Sequence, residues 1–212
     1  MGKNNPLENI HWLGHSSFRI ETPDGVIIYI DPFKLKSALP KADLIICTHE
    51  HHDHCSPQDI EKISSQNTVI AGPPEVAAKL APKKVLEAKP YEIFSSQGVM
   101  VEPVPAYNLD KPYHPRHLGH VGYVICAGGL RIYHAGDTDL IPEMRSIKAD
   151  VALLPVGGTY TMDAADAAKA AAIIKPLVAV PMHYGSHVGK REYGEEFKKL
   201  SIVPAEVLPE EA

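Results

Sequence analysis

The stretch THEHHDH, residues 48–54, constrains this chain more than any other part of its sequence. It follows the apolar run ADLIIC and precedes Pro57, so it lies between a predicted buried strand and a predicted helix. Its spacing is H-x-H-x-D-H, from His49, His51, Asp53 and His54. Polar side chains packed this densely beside a core are costly unless something compensates them. A divalent metal ion would do so, because imidazole nitrogen and carboxylate oxygen together suit Zn²⁺, Mn²⁺ or Fe²⁺.

The composition is that of an ordinary globular protein, except for its twelve histidines. The 212 residues carry a net charge of -5, and the lysines and arginines are scattered, which argues against a nucleic-acid partner. No apolar run approaches the roughly 20 residues that a membrane-spanning helix needs, and the opening MGKNNPLEN lacks the features of a signal peptide. We therefore expect one cytoplasmic domain over residues 1–212, without a membrane partner; a homo-oligomer is compatible with the sequence.

Short apolar runs that end at Gly, Pro or polar residues predict strands, and helical periodicity appears between them. The predicted strands lie in ENIHWLG, SFRIET, GVIIYIDP, DLIICTH, TVIAGP, GVMVEPVPA, VGYVICA, RIYHAGD, VALLPVG and LVAVPMH. The predicted helices lie in PQDIEKISSQ, PPEVAAKLA, IPEMRSIK, MDAADAAKAAAIIKP and REYGEEFKKL. The clearest helix begins at Thr161 or Asp163, either of which can cap it, and ends before Pro176. An α/β fold with two mixed sheets face to face and helices outside would bury runs such as VALLPV on both faces.

Four further motifs extend the pattern over nearly the whole chain. They are WLGHSSF at 12–18, IYIDPF at 28–33, YHAGDT at 133–138 and VPMHYG at 180–185. Together with the H-x-H-x-D-H turn, they resemble the metallo-β-lactamase superfamily, and within it the small, lactonase-like metal-dependent hydrolases. The resemblance implies a four-layered αβ/βα sandwich and a site for two divalent ions, with Zn²⁺ or Mn²⁺ as the expected metals.

The same resemblance implies most of the metal ligands. His49 and His51 would bind one ion, Asp53 and His54 would begin the second site, Asp137 would bridge the two ions, and His183 would complete the second site. The residue pattern agrees, since Asp137 and His183 each follow an apolar strand. Superfamily members that reduce oxygen or nitric oxide at two irons carry a carboxylate at the second ligand position. This chain has His51 there, which favours a hydrolytic site.

The remaining ligand of the first site would come from the loop AYNLDKPYHPRHLGH, residues 106–120, which contains three histidines. His120 is favoured by distance if VGYVIC and RIYHAG form a hairpin, but a register error of one would turn it to the wrong face. His114 precedes Pro115, which restricts it to extended geometry. The A-Y-N and H-P spacing also matches the branch that the chain resembles. We predict His114 as the ligand, ahead of His120 and then His117.

Other polar residues are predicted near the metals. Asn108, Tyr184 and His187 lie on loops and are candidate substrate contacts. His15 and His134 are candidates to orient the metal ligands through hydrogen bonds, and an equally good interpretation is that each is a satisfied polar residue.

The predicted activity is hydrolysis of a small-molecule ester, lactone or amide. Two divalent ions about 3.5 to 4 Å apart can hold a bridging hydroxide at neutral pH, and Asp53 would position or accept the proton. The first alternative is a phosphodiesterase or nuclease of the same superfamily, which the net charge of -5 and the lack of room for a large insertion disfavour. The second is a non-enzymatic metal-binding module, which would be favoured only if several ligands were missing.

Overall fold

The computed structural model describes residues 5–36 and 38–211, and within them it contains two six-stranded sheets and four α-helices. The first sheet consists of β1 (Ile10–Gly14), β2 (Ser17–Glu21), β3 (Ile27–Ile30), β4 (Leu44–Ile46), β5 (Val69–Gly72) and β6 (Leu86–Glu87). The second consists of β7 (Phe94–Ser96), β8 (Val99–Pro105), β9 (Val121–Ala127), β10 (Leu130–His134), β11 (Val151–Pro155) and β12 (Val178–Met182). The helices are α1 (Pro57–Ile63), α2 (Pro74–Leu80), α3 (Ala164–Ile174) and α4 (Glu192–Leu200).

Both sheets are mixed. The first has the order β1-β2-β3-β4-β5-β6, antiparallel from β1 to β3 and parallel from β3 to β6. The second has the order β12-β11-β10-β9-β8-β7, parallel from β12 to β10 and antiparallel from β10 to β7. The predicted architecture of two mixed sheets is confirmed. The predicted hairpin of VGYVIC and RIYHAG is confirmed as well, with Ala127 opposite Leu130.

Strand alternation divides the buried residues of the first sheet between two clusters. Leu44 and Ile46 of β4 belong to one large core with Tyr123 and Tyr133 of the second sheet. Ile45 lies between them in the sequence and packs in a smaller cluster with residues of α1 and α2. Successive side chains of a strand point to opposite faces of its sheet. The run LIIC is therefore buried on both sides, with the second sheet on one face and two helices on the other.

Helix α3 begins and ends as the sequence predicts. Asp163 is its N-cap, and the carboxylate accepts a hydrogen bond of 2.8 Å from the backbone N–H of Asp166. The last helical residue is Ile174, after which Lys175 adopts a left-handed conformation with φ of 57° and Pro176 follows. A left-handed residue and a proline are common helix-ending signals.

Three short elements differ from the prediction. The segment IPEMRSIK forms only a 3-10 turn at Pro142–Ser146 instead of an α-helix. Strands β6 and β7 were not predicted, because they are edge strands of two and three residues with no sustained alternation of apolar side chains. Within the described ranges, none of the helices has the length and apolar character needed to cross a membrane.

Several polar residues that follow strands lie at one edge of the sandwich. Asp31 and His183 directly follow β3 and β12, and His49 and Asp137 lie three residues after the ends of β4 and β10. The carboxyl ends of parallel strands lie at the same edge of a sheet, which is where α/β proteins commonly place their sites. The two sheets meet at this edge, since the His54 and Asp137 side chains approach to 3.3 Å.

Gly122 of β9 lies where the second sheet approaches this edge. A Cβ atom at this position would lie 2.7 Å from the carbonyl oxygens of both His134 and Ala135. We expect Gly122→Ala to lower the free energy of unfolding by about 2 kcal/mol, since backbone oxygens cannot move aside cheaply. Urea unfolding measures the change, and Ser95→Ala on exposed β7 is the control, expected to stay within about 0.5 kcal/mol. Equal stability of both variants would contradict this account.

Candidate metal centre

The H-x-H-x-D-H segment is a tight, anchored turn. The backbone N–H groups of His54 and Cys55 both donate to the carbonyl of His51, at 3.1 and 2.8 Å. The Lys79 ammonium of α2 donates to the carbonyl of Glu50 at 2.6 Å. These bonds close the turn and connect it to α2, which restricts the directions of its imidazoles.

One group of three histidines brings nitrogen atoms together at the start of this turn. His51 Nδ1 lies 3.1 Å from His49 Nε2 and 3.2 Å from His114 Nε2. His49 and His114 are buried, whereas His51 is half-buried. Three imidazole nitrogens within 4.8 Å of one another form a donor set of the kind that a divalent metal takes in proteins.

The structure separates the three histidines of the 106–120 loop. His114 belongs to the group with His49 and His51, whereas His117 is exposed on a 3-10 turn. His120 is buried behind the group, with its ring stacked on His49 at a centroid distance of 4.8 Å and its Nε2 3.3 Å from Glu50. Of the three histidines, the structure therefore places the predicted ligand, His114, beside His49 and His51. The prediction that Pro115 gives His114 an extended backbone is wrong. His114 has φ of 53°, a left-handed conformation that its backbone hydrogen bond from Asn108 supports.

The second group lies on the other side of Asp137. It consists of His15, Asp53, His54 and His183, whose candidate ligand atoms also lie within 4.8 Å of one another. Asp137 Oδ1 is 3.3 Å from His54 Nε2, and Oδ2 is 3.1 Å from His183 Nε2 and 3.5 Å from His114 Nε2. The carboxylate therefore touches both groups, which is the position that a bridging ligand needs.

The orientation of the buried atoms fits a metal better than a hydrogen-bond network. Among the described residues, His54 Nε2, His183 Nε2 and Asp137 Oδ1 are buried without a hydrogen-bond partner, although they lie close together. Unpaired buried polar atoms are rare because each is costly. A cation bound between these residues would accept the lone pairs of their nitrogen and oxygen atoms. The arrangement therefore fits the divalent ions implied by the sequence.

Asp31 orients two of the histidines and was not assigned a role from the sequence. It accepts hydrogen bonds of 2.7 Å from the Thr48 backbone N–H, the Thr48 hydroxyl and His54 Nδ1. Because the Thr48 hydroxyl donates to Asp31, its 2.9 Å contact with His49 Nδ1 is a bond that it accepts. Both imidazoles thus carry their proton on Nδ1 and present Nε2 to the site. The only signal for Asp31 was its place at the end of the buried strand in IYIDPF.

His15 is closer to the site than an orienting role alone requires. Its Nε2 lies 3.0 Å from Asp53 Oδ2, and its ring centroid is 4.2 Å from that of His183. The carbonyl of His15 accepts hydrogen bonds of 2.9 Å from the His183 N–H and from the Trp12 indole. His15 is buried and left-handed, with φ of 51°. Its loop is therefore held in a strained conformation that directs the ring at Asp53.

His134 supports the backbone instead of the metal groups. Its Nε2 donates to the Ser16 carbonyl at 2.9 Å, and its Nδ1 accepts from the Gly136 N–H at 3.2 Å. Burial lowers its pKa, which keeps this neutral tautomer. The hydrogen bonds connect the loop before Asp137 to the β1–β2 turn that carries His15.

Burial favours the neutral form of several clustered histidines, whereas at His54 the nearby Asp137 and Asp31 outweigh burial and raise the pKa well above its usual range. Burial lowers the pKa of His49 well below its usual range and lowers the pKa values of His15 and His114 to about 4. Burial opposes the ionised form of Asp137, but the nearby His183 and His54 outweigh it and hold the pKa of Asp137 well below its usual range. Neutral imidazoles and ionised carboxylates are the forms that bind metal.

A cavity of about 430 Å³ opens over the two groups. Its lining consists of His51, His52, Asp53, Tyr113, His114, Asp137, Tyr160, His183, His187 and Val188. Of the three predicted substrate contacts, the structure brings only His187 to this cavity. Asn108 is buried, with its amide bonded to backbone carbonyls, and Tyr184 is buried against Trp12 with ring centroids 5.3 Å apart. Tyr113, Tyr160 and Val188 were not predicted, because they lie on separate loops without a shared motif.

Comparison with known proteins identifies the family. A model described as a beta-lactamase superfamily domain matches residues 9–183. The chain belongs to the metallo-β-lactamase superfamily. Within this superfamily, it is 37% identical over 216 residues to a UPF0173 metal-dependent hydrolase of Thermoplasma acidophilum, covering 92% of each chain.

Solved structures of the superfamily agree with the fold. A protein from Parabacteroides distasonis has a TM-score of 0.82 at 36% identity, covering 93% of this chain and 91% of its own. Igni18, a metallo hydrolase from Ignicoccus hospitalis, has a TM-score of 0.78 at 28% identity, covering 96% of this chain and 95% of its own. The resemblance inferred from the motifs is thereby confirmed at the level of the superfamily.

His114→Ala distinguishes the loop histidines by metal content. We expect this variant to lose about one Zn²⁺ per chain, because the first group would keep only two imidazoles. Elemental analysis after Zn²⁺ loading and gel filtration measures the content. His117→Ala is the matched control and should bind as much metal as the unchanged protein. If His120→Ala loses the metal and His114→Ala does not, His120 is the ligand.

Asp31→Asn tests the orientation of His54. The amide has nearly the shape of the carboxylate but less capacity to accept the His54 Nδ1 proton, so we expect metal affinity to fall roughly 10- to 100-fold. Competition with a chromogenic chelator measures the affinity, and circular dichroism checks that the variant is folded. Asp24→Asn, at an exposed position, is the control. Unchanged affinity in a folded Asp31→Asn protein would exclude this role for Asp31.

Proposed function

We propose that this chain is a dinuclear metal-dependent hydrolase of a small ester, lactone or amide. The observation that carries the proposal is that Asp137 contacts two groups of potential ligands, one of three histidines and one of histidines with Asp53. Both groups lie beneath an open cavity. The names of the Thermoplasma acidophilum relative and of Igni18 support it, since both are described as metal-dependent or metallo hydrolases.

The ligands divide into two sets in this proposal. His49, His51 and His114 would hold the first ion, Asp53, His54 and His183 would hold the second, and Asp137 would contact both. Nitrogen and oxygen donors of this kind suit Zn²⁺ or Mn²⁺. A pair of such ions would supply an activated water and polarise the substrate carbonyl.

Asp53 is the proposed catalytic carboxylate. It lines the cavity, and its Oδ2 atom faces three imidazoles at 3.0 Å (His15), 3.8 Å (His54) and 3.8 Å (His187). Burial opposes its ionisation, but the hydrogen bond from His15 outweighs this and lowers the pKa of Asp53. An ionised Asp53 accepts a hydrogen bond from the attacking water and orients it toward the substrate, and His187 lies beside it at the solvent side of the cavity.

Phosphodiester hydrolysis is the alternative within the same superfamily, and the cavity does not favour it. No lysine or arginine is found among the described residues that line the cavity, whereas proteins commonly bind phosphate groups with such side chains. The net charge of -5 likewise disfavours a nucleic-acid substrate.

Activity measurements on the metal-loaded protein test the proposal. We expect Zn²⁺- or Mn²⁺-loaded protein to hydrolyse members of a lactone and thioester panel faster than bis(p-nitrophenyl) phosphate. His49→Ala and Asp137→Ala should lose metal and reduce kcat/KM at least about 100-fold, because both remove proposed ligands. His117→Ala is the control that retains activity. Hydrolysis of the phosphodiester alone would favour the alternative, and full activity of His49→Ala without bound metal would overturn the metal-dependent reaction.

A further inference from the structure

One wall of the cavity over the metal groups is aromatic. The rings of Tyr113 and Tyr160 meet edge to face, with centroids 4.7 Å apart and planes inclined at 73°. Tyr113 is 44% exposed, and Tyr160 is half-buried. Val188 extends the apolar surface of the same cavity. Exposed aromatic surface in a cavity is typical of a site that binds an apolar group.

A single buried amide fixes this wall. Asn108 Nδ2 donates to the carbonyl of Tyr113 at 2.9 Å and to the carbonyl of Tyr160 at 2.7 Å. The Asn108 backbone N–H donates to the carbonyl of His114 at 2.9 Å. The backbones of the two tyrosines are therefore held in set positions relative to each other and to a proposed metal ligand. Preorganisation of this kind reduces the entropy that a ligand must lose on binding.

Two further rings line the same cavity. His52 and His187 line it, with centroids 5.2 Å apart. Phe33 packs edge to face with both of them, at 5.8 and 5.3 Å. The lining of the cavity therefore contains two pairs of contacting rings, Tyr113 with Tyr160 and His52 with His187.

Two cations of the loop before β9 are paired with carboxylates. Lys111 pairs with Asp139, and Arg116 pairs with Glu143 at 3.0 Å. The Lys34 ammonium lies over the Phe33 ring, 5.0 Å from its centroid. Because no lysine or arginine is found among the described residues that line the cavity, a phosphate or carboxylate remote from the metal groups would meet aromatic rings there.

We propose that the cavity takes an uncharged ester or lactone that carries an apolar, ring-sized substituent, and that this substituent packs on Tyr113 and Tyr160. The proposal rests on the hydrolase function above and names the substrate class of that site. A cavity of about 430 Å³ is within the usual size of small-molecule sites, so it has room for a reacting group and a ring.

Two lactones that differ only by a ring test the preference. We expect kcat/KM for γ-phenyl-γ-butyrolactone to exceed that for γ-butyrolactone about tenfold, since burial of an added apolar group in a pocket has an effect of this size. The double variant Tyr113→Ala with Tyr160→Ala should reduce the ratio to about 2 or less, whereas Tyr113→Phe, which keeps the ring, should preserve it. Tyr91→Ala, at a position 64% exposed and outside the cavity lining, is the control. Faster hydrolysis of a lactone carrying a phosphomonoester would contradict the proposal.

A binding measurement separates this proposal from the hydrolase function. Calorimetric titration of the Zn²⁺-loaded protein should show phenylacetate binding about tenfold more tightly than acetate, with the preference lost in the double variant. Binding without preference, or no binding of either acid, overturns the aromatic site even if lactones are hydrolysed. Preferential binding that the double variant abolishes, in a protein that hydrolyses no ester, lactone or amide, overturns the hydrolase function and upholds the site for a ring-bearing ligand.

Discussion

The contact on which the rest of this site depends is the buried carboxylate of Asp137. It lies within 3.5 Å of imidazole nitrogens from three segments, those of His54, His114 and His183. A buried carboxylate is strongly destabilising unless positive charge or hydrogen bonds compensate it. The turn after β4, the loop before β9 and the end of β12 must therefore all reach the same point. The joint between the two sheets thus brings one buried carboxylate and three imidazoles to the same point, in addition to its apolar packing.

Hydrogen bonds on the far side of the histidines determine which ring nitrogen each of them presents to the site. Asp31 binds Thr48 and His54, and Thr48 in turn binds His49, so one carboxylate sets the tautomers of two histidines. His15 acts from the other side through Asp53. These bonds lie within or beside the first sheet, whereas the aromatic wall is held by Asn108. The histidine groups and the aromatic wall are therefore held by separate hydrogen bonds, and His114 contacts both.

Local patterns predicted most elements correctly. The cap at Asp163 and the stop at Pro176 act through adjacent backbone groups, so α3 could be placed from its own residues. The structure places His114, and not His117 or His120, beside His49 and His51, and its role as a ligand stays a prediction. The extended geometry expected from Pro115 is not found, since His114 has a positive φ. Asp31 was missed for a different reason. A single carboxylate after a strand looks like many others until its contact with His54 is known.

The sequence by itself determined the superfamily, the two mixed sheets and the set of potential ligands in the turn at residues 48–54, because these depend on local periodicity and on residue types at short spacing. Only the tertiary structure decided how the three loop histidines are arranged, that His15 reaches Asp53, and that Asn108 and Tyr184 lie outside the cavity. It also decided that Tyr113 and Tyr160 form one wall. The physical reason is that these contacts join residues far apart in the chain, and the packing of the two sheets brings them together.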